Sequence, residues 1–95
     1  MQDQNEVVIS KQILASATSI GANIHEGSAA SSRKDFINKM TIANKEARES
    51  KYWLELVQSS EIVNTDVSEL LSLNNEIIKI LTSIILTSQG KFRTR

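Results

Sequence analysis

The side chains best suited to chemistry lie in the first half of the chain, where His25 and Glu26 precede Gly27 in the run SIGANIHEG, residues 19–27. An imidazole and a carboxylate are both metal ligands, but a closed site needs about four donors. The chain has one histidine and no cysteine. It contains neither a His-Glu-x-x-His segment nor the Glu-x-x-His pair of di-iron bundles, so the expectation is no metal and no cofactor. Serines are plentiful, yet a nucleophile needs a base converging on it, and no spacing here supplies one. Ser19, Ser31, Ser32 and Ser50 have simpler roles at helix ends or in close packing. Phosphate-loop and dinucleotide fingerprints are absent, which keeps Gly21 and Gly27 from being read as nucleotide contacts. The residues therefore point away from an enzyme and from a small-molecule substrate.

A different chemistry is available to Lys34, Asn38, Thr41, Lys45, Arg48 and Tyr52. Their three- and four-residue spacing puts them on one face of a helix, where cations and an aromatic ring could meet a phosphate backbone. Arg33 and the terminal Lys91, Arg93 and Arg95 could extend that surface. Eleven Lys and Arg balance eleven Asp and Glu, so bulk charge supplies no attraction and the same stripe also reads as a plain solvated face. Asn23 and Glu26, beside Gly27, are placed to organise a joint by hydrogen-bonding the free ends of neighbouring helices. Trp53, flanked by Leu54 and Leu56, is read as packing, whereas the Tyr52 ring can cover an apolar edge with its hydroxyl in water.

The elements that must hold these groups are helices. With no proline and three glycines, the chain has few forced stops. A first helix is expected over about 7–25, with Ile9, Ile13, Ile20 and Ile24 on one face and Leu14, Ala17 and Gly21 beside them as a stripe that admits a close neighbour. Gly27 is expected in the left-handed position that ends this helix, with 28–31 as a polar joint. Ser32 then caps a second helix over about 33–60, with Asp35 as the third residue of a capping box. Along it Phe36, Met40, Ala43, Ala47, Ser50, Leu54 and Val57 alternate in steps of four and three, a seam suited to left-handed packing. Lys45 with Glu49 and Lys51 with Glu55 are four apart, a spacing at which each opposite pair adds about 0.2 to 0.5 kcal/mol. Asn64, Thr65 and Asp66 form a second joint, Asp66 and Glu69 repeat the capping-box spacing, and a third helix over about 67–88 carries Val67, Leu70, Ile77, Leu81 and Ile84. Gly90 ends it, before a basic tail over 89–95.

Ninety-five residues fit a single domain, 1–95, that buries only about 60 to 65% of its unfolded surface. The core must be aliphatic, since the aromatics number one Trp, one Tyr and two Phe. Freedom from cysteine suits a reducing interior. The start, MQDQNEVVIS, has no basic segment leading into an apolar run, and nowhere do about eighteen apolar residues follow one another, so neither export nor membrane insertion is expected and the cytoplasm is the default.

The ordered set Ser19, Ile20, Ala22, Asn23, Ile24, Glu26, then Ser32, Asp35, Phe36, then Ala43, Glu46, Glu49, and finally Tyr52, Trp53, Leu54 resembles the four-helix-bundle family associated with bacterial 23S ribosomal RNA intervening sequences, over roughly 9–86. The accessory variability protein of diversity-generating retroelements is a relative of that family. The resemblance implies an all-α, up-down antiparallel bundle, assembly into homo-oligomers such as cyclic pentamers, and work alongside RNA or a ribonucleoprotein. Family members usually carry a further long helix before the segment matching Val7 to Ile24. Here a short polar stub stands in its place, so three long helices are expected to leave an apolar groove that a second copy fills. The functional expectation is a non-enzymatic, self-assembling interaction protein with Lys34, Lys45, Arg48 and Tyr52 as candidate RNA contacts. A structural protein-protein adaptor and a truncated relic are the alternatives.

Overall fold

Three helices, α1 (Gln4–Ser28), α2 (Arg33–Ser59) and α3 (Ser68–Ser88), account for most of what the computed structural model describes, residues 4–60 and 66–90. No strand occurs among the described residues. The fold is all-α. Asn64 and Thr65 of the second joint, and the tail residues Lys91, Arg93 and Arg95, lie outside the described residues.

Helix α2 packs against both α1 and α3, which do not pack against each other. The stepped seam of α2 is the reason. Met40, Ala43, Ala47, Ser50, Leu54 and Val57 are all buried, and Phe36 is half-buried. Two apolar clusters form along it. One joins Ile20 of α1 and Leu81 of α3 to Met40, Ala43 and Ala47. The other joins Ile9 to Leu54, Val57 and Val67, with Ile13, Trp53 and Leu71 packed on it. Between them each helix contributes one buried polar residue, Ser16, Ser50 and Asn74. Ser16 Oγ donates to Glu49 Oε1 at 3.2 Å, and Asn74 Nδ2 donates to the Ala47 carbonyl at 2.9 Å. A buried amide with a backbone partner costs little, but slipping α3 by one residue would strand it, so Asn74 ties α3 to one register on α2.

Gly27 departs from its expected role. It lies inside the last turn of α1 with ordinary helical backbone, and the helix continues through Ser28. A Cβ at Gly27 would collide with Met40 Cε and come within 3.2 Å of Lys39 Cβ. The glycine is there because α1 and α2 approach closely, not because the chain must turn. The turn needs no left-handed residue: Ser28 Oγ donates to the His25 carbonyl at 2.7 Å, and the amides of Ala29 and Ala30 donate to the carbonyls of Glu26 and Gly27. Ser32 then caps α2 as expected, its hydroxyl accepting the Asp35 amide at 3.0 Å. At the far end Gly90 has φ +75°, the one left-handed residue among those described, and closes α3.

The expected Asp66 and Glu69 capping box does not form. Val67 is the N-cap of α3 and makes no side-chain cap bond. Asp66 sits one residue earlier and accepts the Ser68 amide at 3.0 Å and the Ser68 hydroxyl at 2.6 Å. These bonds favour the ionised carboxylate and hold its pKa below the usual carboxylate value. Gln58, near the end of α2, completes the joint, accepting the Val67 amide on Oε1 at 2.9 Å. The four-apart charges on α2 also behave differently from expectation. Neither Lys45 with Glu49 nor Lys51 with Glu55 closes, and the one ion pair among the described residues joins Lys39 Nζ to Glu26 Oε1 at 3.2 Å. Exposed pairs gain little over water, and Glu49 already accepts the Ser16 hydroxyl.

Candidate functional site

The seam of α2 faces its two neighbours, so the residues half a turn away must face outward. Lys34, Asn38, Thr41, Lys45, Arg48 and Tyr52 are all exposed and follow one another along that outward face. The helix holds them by its own hydrogen bonds, and Thr41 Oγ1 is turned inward to the Ile37 carbonyl at 2.7 Å. Tyr52 is 58% exposed. Its ring meets the edge of Trp53 at a centroid distance of 5.1 Å and an interplanar angle of 73°, which restrains it without covering it. Trp53 itself is half-buried against the cluster around Leu54, with its indole nitrogen enclosed. At the start of α2, Arg33 and Lys34 border a depression shared with Ser88 and Gln89 at the end of α3. The stripe is thus a row of cations and hydrogen-bonding groups that runs from Lys34 to Tyr52 at about 1.5 Å of helix per residue. That is a geometry able to track a charged polymer rather than enclose a small molecule.

The second group of sequence candidates lies in the last turns of α1. Glu26 reaches across to Lys39 and Gly27 meets Met40, so both do join α1 to α2. Asn23 does not. Its Nδ2 donates to the Ser19 carbonyl at 2.9 Å and to Ser19 Oγ at 3.3 Å, all within α1. An asparagine one turn above a serine finds its partner on its own helix before it can reach a neighbour. His25 is exposed, and among the described residues no three His, Cys, Asp or Glu side chains gather as metal ligands do.

Opposite the stripe lies a groove between α1 and α3. Ile13 and Ala17 form one wall, Leu70, Leu73 and Ile77 the other, with Ser50, Leu54 and Asn74 at the bottom. Leu70 was expected to be buried with Val67 and Leu81, but it is 53% exposed, and Leu73 is 55% exposed. The face of α3 that meets α2 is instead set by Val67, Asn74 and Leu81, seven apart, which rotates Leu70 and Leu73 onto the flank. Ser16 and Asn74 were not singled out from sequence. The signal was present in the seven-residue step from Val67 through Asn74 to Leu81, but an apolar filter passes over a polar residue in that series. By length and composition α3 could cross a membrane, yet Asn74, Asn75, Glu76 and Lys79 fall in its middle, and its apolar surplus is the groove wall.

Two comparisons bear on what this arrangement belongs to. A crystal structure at 1.70 Å of a protein of unknown function from the S23 ribosomal protein family of Bacteroides thetaiotaomicron VPI-5482 is 52% identical, with a TM-score of 0.76, covering 87% of this chain and 78% of that one. No functionally curated protein matches. The family model described as 23S rRNA-intervening sequence protein matches residues 1–83. With most of the chain inside that match, and a relative 52% identical over 87% of the chain, this protein belongs to the 23S rRNA-intervening sequence protein family.

Proposed function

We propose that the chain is a non-enzymatic interaction module of the cytoplasm that self-associates through apolar helix surface and offers the outward face of α2 to RNA or a ribonucleoprotein. Its helices form an up-down antiparallel unit. The observation that carries this reading is the separation of two surfaces: the stripe from Lys34 to Tyr52 is exposed along its whole length, and the apolar groove opens on the other side. One partner can therefore be held without displacing the other. The family's association with 23S ribosomal RNA supports RNA as the polymer met by the stripe. Assembly of several copies, a ring of five in the case the resemblance suggests, would repeat Lys34, Lys45 and Arg48 around a common axis. That repetition is what a chain of zero net charge needs to attract a polyanion.

The test is a titration of labelled single-stranded and structured RNA at several salt concentrations. Each phosphate contact contributes about 0.7 to 0.9 to the slope of log affinity against log salt. Replacing Lys45 and Arg48 by glutamine should weaken binding and flatten the slope by about two contacts per copy engaged. No binding at low salt, or binding indifferent to the double substitution, rejects the stripe as an RNA surface. The groove alone favours a second reading, a protein adaptor that receives a partner helix, and binding of a protein that survives nuclease treatment would favour it.

A further inference from the structure

The outward face of α2 is not uniform along its length. Its first half carries one cation, Lys34, with Asn38 and Thr41, whereas its second half ends in an aromatic ring. Lys45 and Arg48 stand about two turns and one turn before Tyr52, and Leu56 follows about one turn after it. Burial does not explain an aromatic at this place, because the seam residues Ser50, Leu54 and Val57 lie on the opposite side of the helix and Tyr52 is 58% exposed. The ring is nevertheless held. Trp53 meets it at 5.1 Å and 73°, and Trp53 is itself packed on the cluster of Ile9, Leu54, Val57 and Val67. A fixed, nearly perpendicular neighbour restrains the plane of the ring and leaves more than half of the residue to solvent. We infer that Tyr52 is a stacking platform for an unpaired base, so that this face takes single-stranded RNA in preference to duplex, with Lys45 and Arg48 on the adjoining phosphates.

Charge alone does not choose between the two forms of RNA. Two cations one turn apart can neutralise phosphates on either, and in a chain of zero net charge, with Glu49 and Glu55 exposed beside the same row, their field is weak. The ring chooses by geometry. In an A-form duplex each base is covered above and below by its neighbours, and only groove edges and backbone reach a protein. A ring standing on the convex surface of a helix finds no base face there to lie on. In a single strand the bases splay out, and stacking on an aromatic tolerates any sequence because every base has a π-face. A ring already held by Trp53 also loses less freedom on stacking than a loose side chain would. Arg48 and Lys45 lie about 6 and 10 Å along the helix axis from Tyr52. Both are on the side toward Lys34, so a strand with a base on Tyr52 continues along the cationic row.

This inference rests on the RNA reading of the stripe, and the experiment separates their failures. The probes are a labelled single-stranded RNA oligomer, the same oligomer annealed to its complement, and an abasic version of the single strand. Two substitutions divide the chemistry of the ring: Tyr52→Phe keeps a flat face, and Tyr52→Leu covers the edge of Trp53 without one. Because Tyr52 lies off the buried seam, both should keep the helix content of the parent by circular dichroism. At equal salt the parent should bind the single strand several-fold more tightly than the duplex or the abasic strand. Tyr52→Leu should lose about tenfold or more on the single strand and nothing on the other two. Its slope of log affinity against log salt should match the parent's, since no cation is removed. Tyr52→Phe should bind as the parent does. Replacing Lys45 and Arg48 by glutamine should instead weaken all three RNAs and flatten the slope. If that pair matters while Tyr52→Leu binds as tightly as the parent, or the abasic strand binds as well as the intact one, the stacking platform is overturned and the stripe stands. A Tyr52→Phe chain as weak as Tyr52→Leu also overturns the platform, since the hydroxyl and not the ring face would be responsible. RNA binding that is absent at low salt overturns both readings.

Discussion

The two apolar clusters on α2 reach similar burial by opposite means. Around Met40 the helices come together over Ala43 and Ala47, both without any exposed surface, and over Gly27, where an added Cβ would displace the end of Met40 and crowd Lys39 Cβ. Around Leu54 the contact is made by larger residues, Ile9, Val57 and Val67, and this is the end where the groove opens beside Leu54, Ile13 and Leu70. Small residues close the gap between helices by letting backbones approach, whereas large ones fill a wider gap and leave flanks uncovered. The difference implies that the first cluster is the more sensitive to any change of volume, and that losses at the second are cushioned by solvent access.

Truncation separates them most strongly. Leu81 is 2% exposed at the closed cluster, and Leu81→Ala should cost about 3 to 5 kcal/mol, because the site, enclosed by Ile20, Met40, Ala43 and Ala47, leaves a cavity that solvent does not reach. Leu54→Ala, beside the groove, should cost about 2 to 3 kcal/mol, since its site can collapse or admit water. Urea unfolding followed by circular dichroism measures both. Equal losses, or a larger one at Leu54, would remove the contrast. Enlargement should keep the order. Ala47→Leu forces volume onto a position with no free surface whose carbonyl also receives Asn74, and a cost of about 1 to 3 kcal/mol is expected. Leu73→Met, on the open flank, should change stability by less than about 0.5 kcal/mol at concentrations where copies do not associate.

Much of this contrast was legible in the residues. The seam from Phe36 to Val57 follows from its four-and-three spacing, and Ser32 with Asp35 marks the start of α2 because a hydroxyl three residues before a free amide has one geometry in which to use it. What was not legible depended on the neighbour. Gly27 reads as a helix end in one dimension, since the sequence does not say that Met40 will lie against it. Leu70 and Asn74 exchange places for the same reason: apolar periodicity finds the apolar arc of α3, but the direction from which α2 approaches decides which part of the arc is covered. For the candidate site, the stripe on α2 was recoverable as a set because one exposed helix face is a local property. Asn23 bonds Ser19 and not another helix, a competition that spacing alone does not decide.

The two joints extend the comparison at smaller scale. Ser32→Ala removes the acceptor of the Asp35 amide, and Gln58→Ala removes the acceptor of the Val67 amide, so each should lower stability by about 1 kcal/mol. Exchange of the two amides with solvent locates the loss, because Ser32→Ala should speed exchange at Asp35 and spare Val67. If Gln58→Ala leaves Val67 protected, the side chain is not what holds the second joint.

The smallest effect is the acid dependence of that second joint. Asp66 accepts the hydroxyl and amide of Ser68 and is approached by Gln58 Nε2 at 3.5 Å, and these bonds lower its pKa from the model-peptide value of 3.8. A carboxylate with a lower pKa in the folded chain contributes stability that is complete above its unfolded pKa. That contribution declines as pH falls through the unfolded value and is gone once pH passes below the folded one. Asp66 is fully exposed, so solvent screens the effect and the change is small. Asp66→Asn retains an oxygen acceptor for Ser68 but cannot titrate. The difference in melting temperature between the two proteins should therefore be constant above about pH 5 and shift against the parent as the carboxylate protonates, in the direction the linkage requires. Parallel melting curves down to the lowest pH would mean that Ser68 does not distinguish the ionised from the protonated side chain, and that the first turn of α3 depends on Gln58 alone.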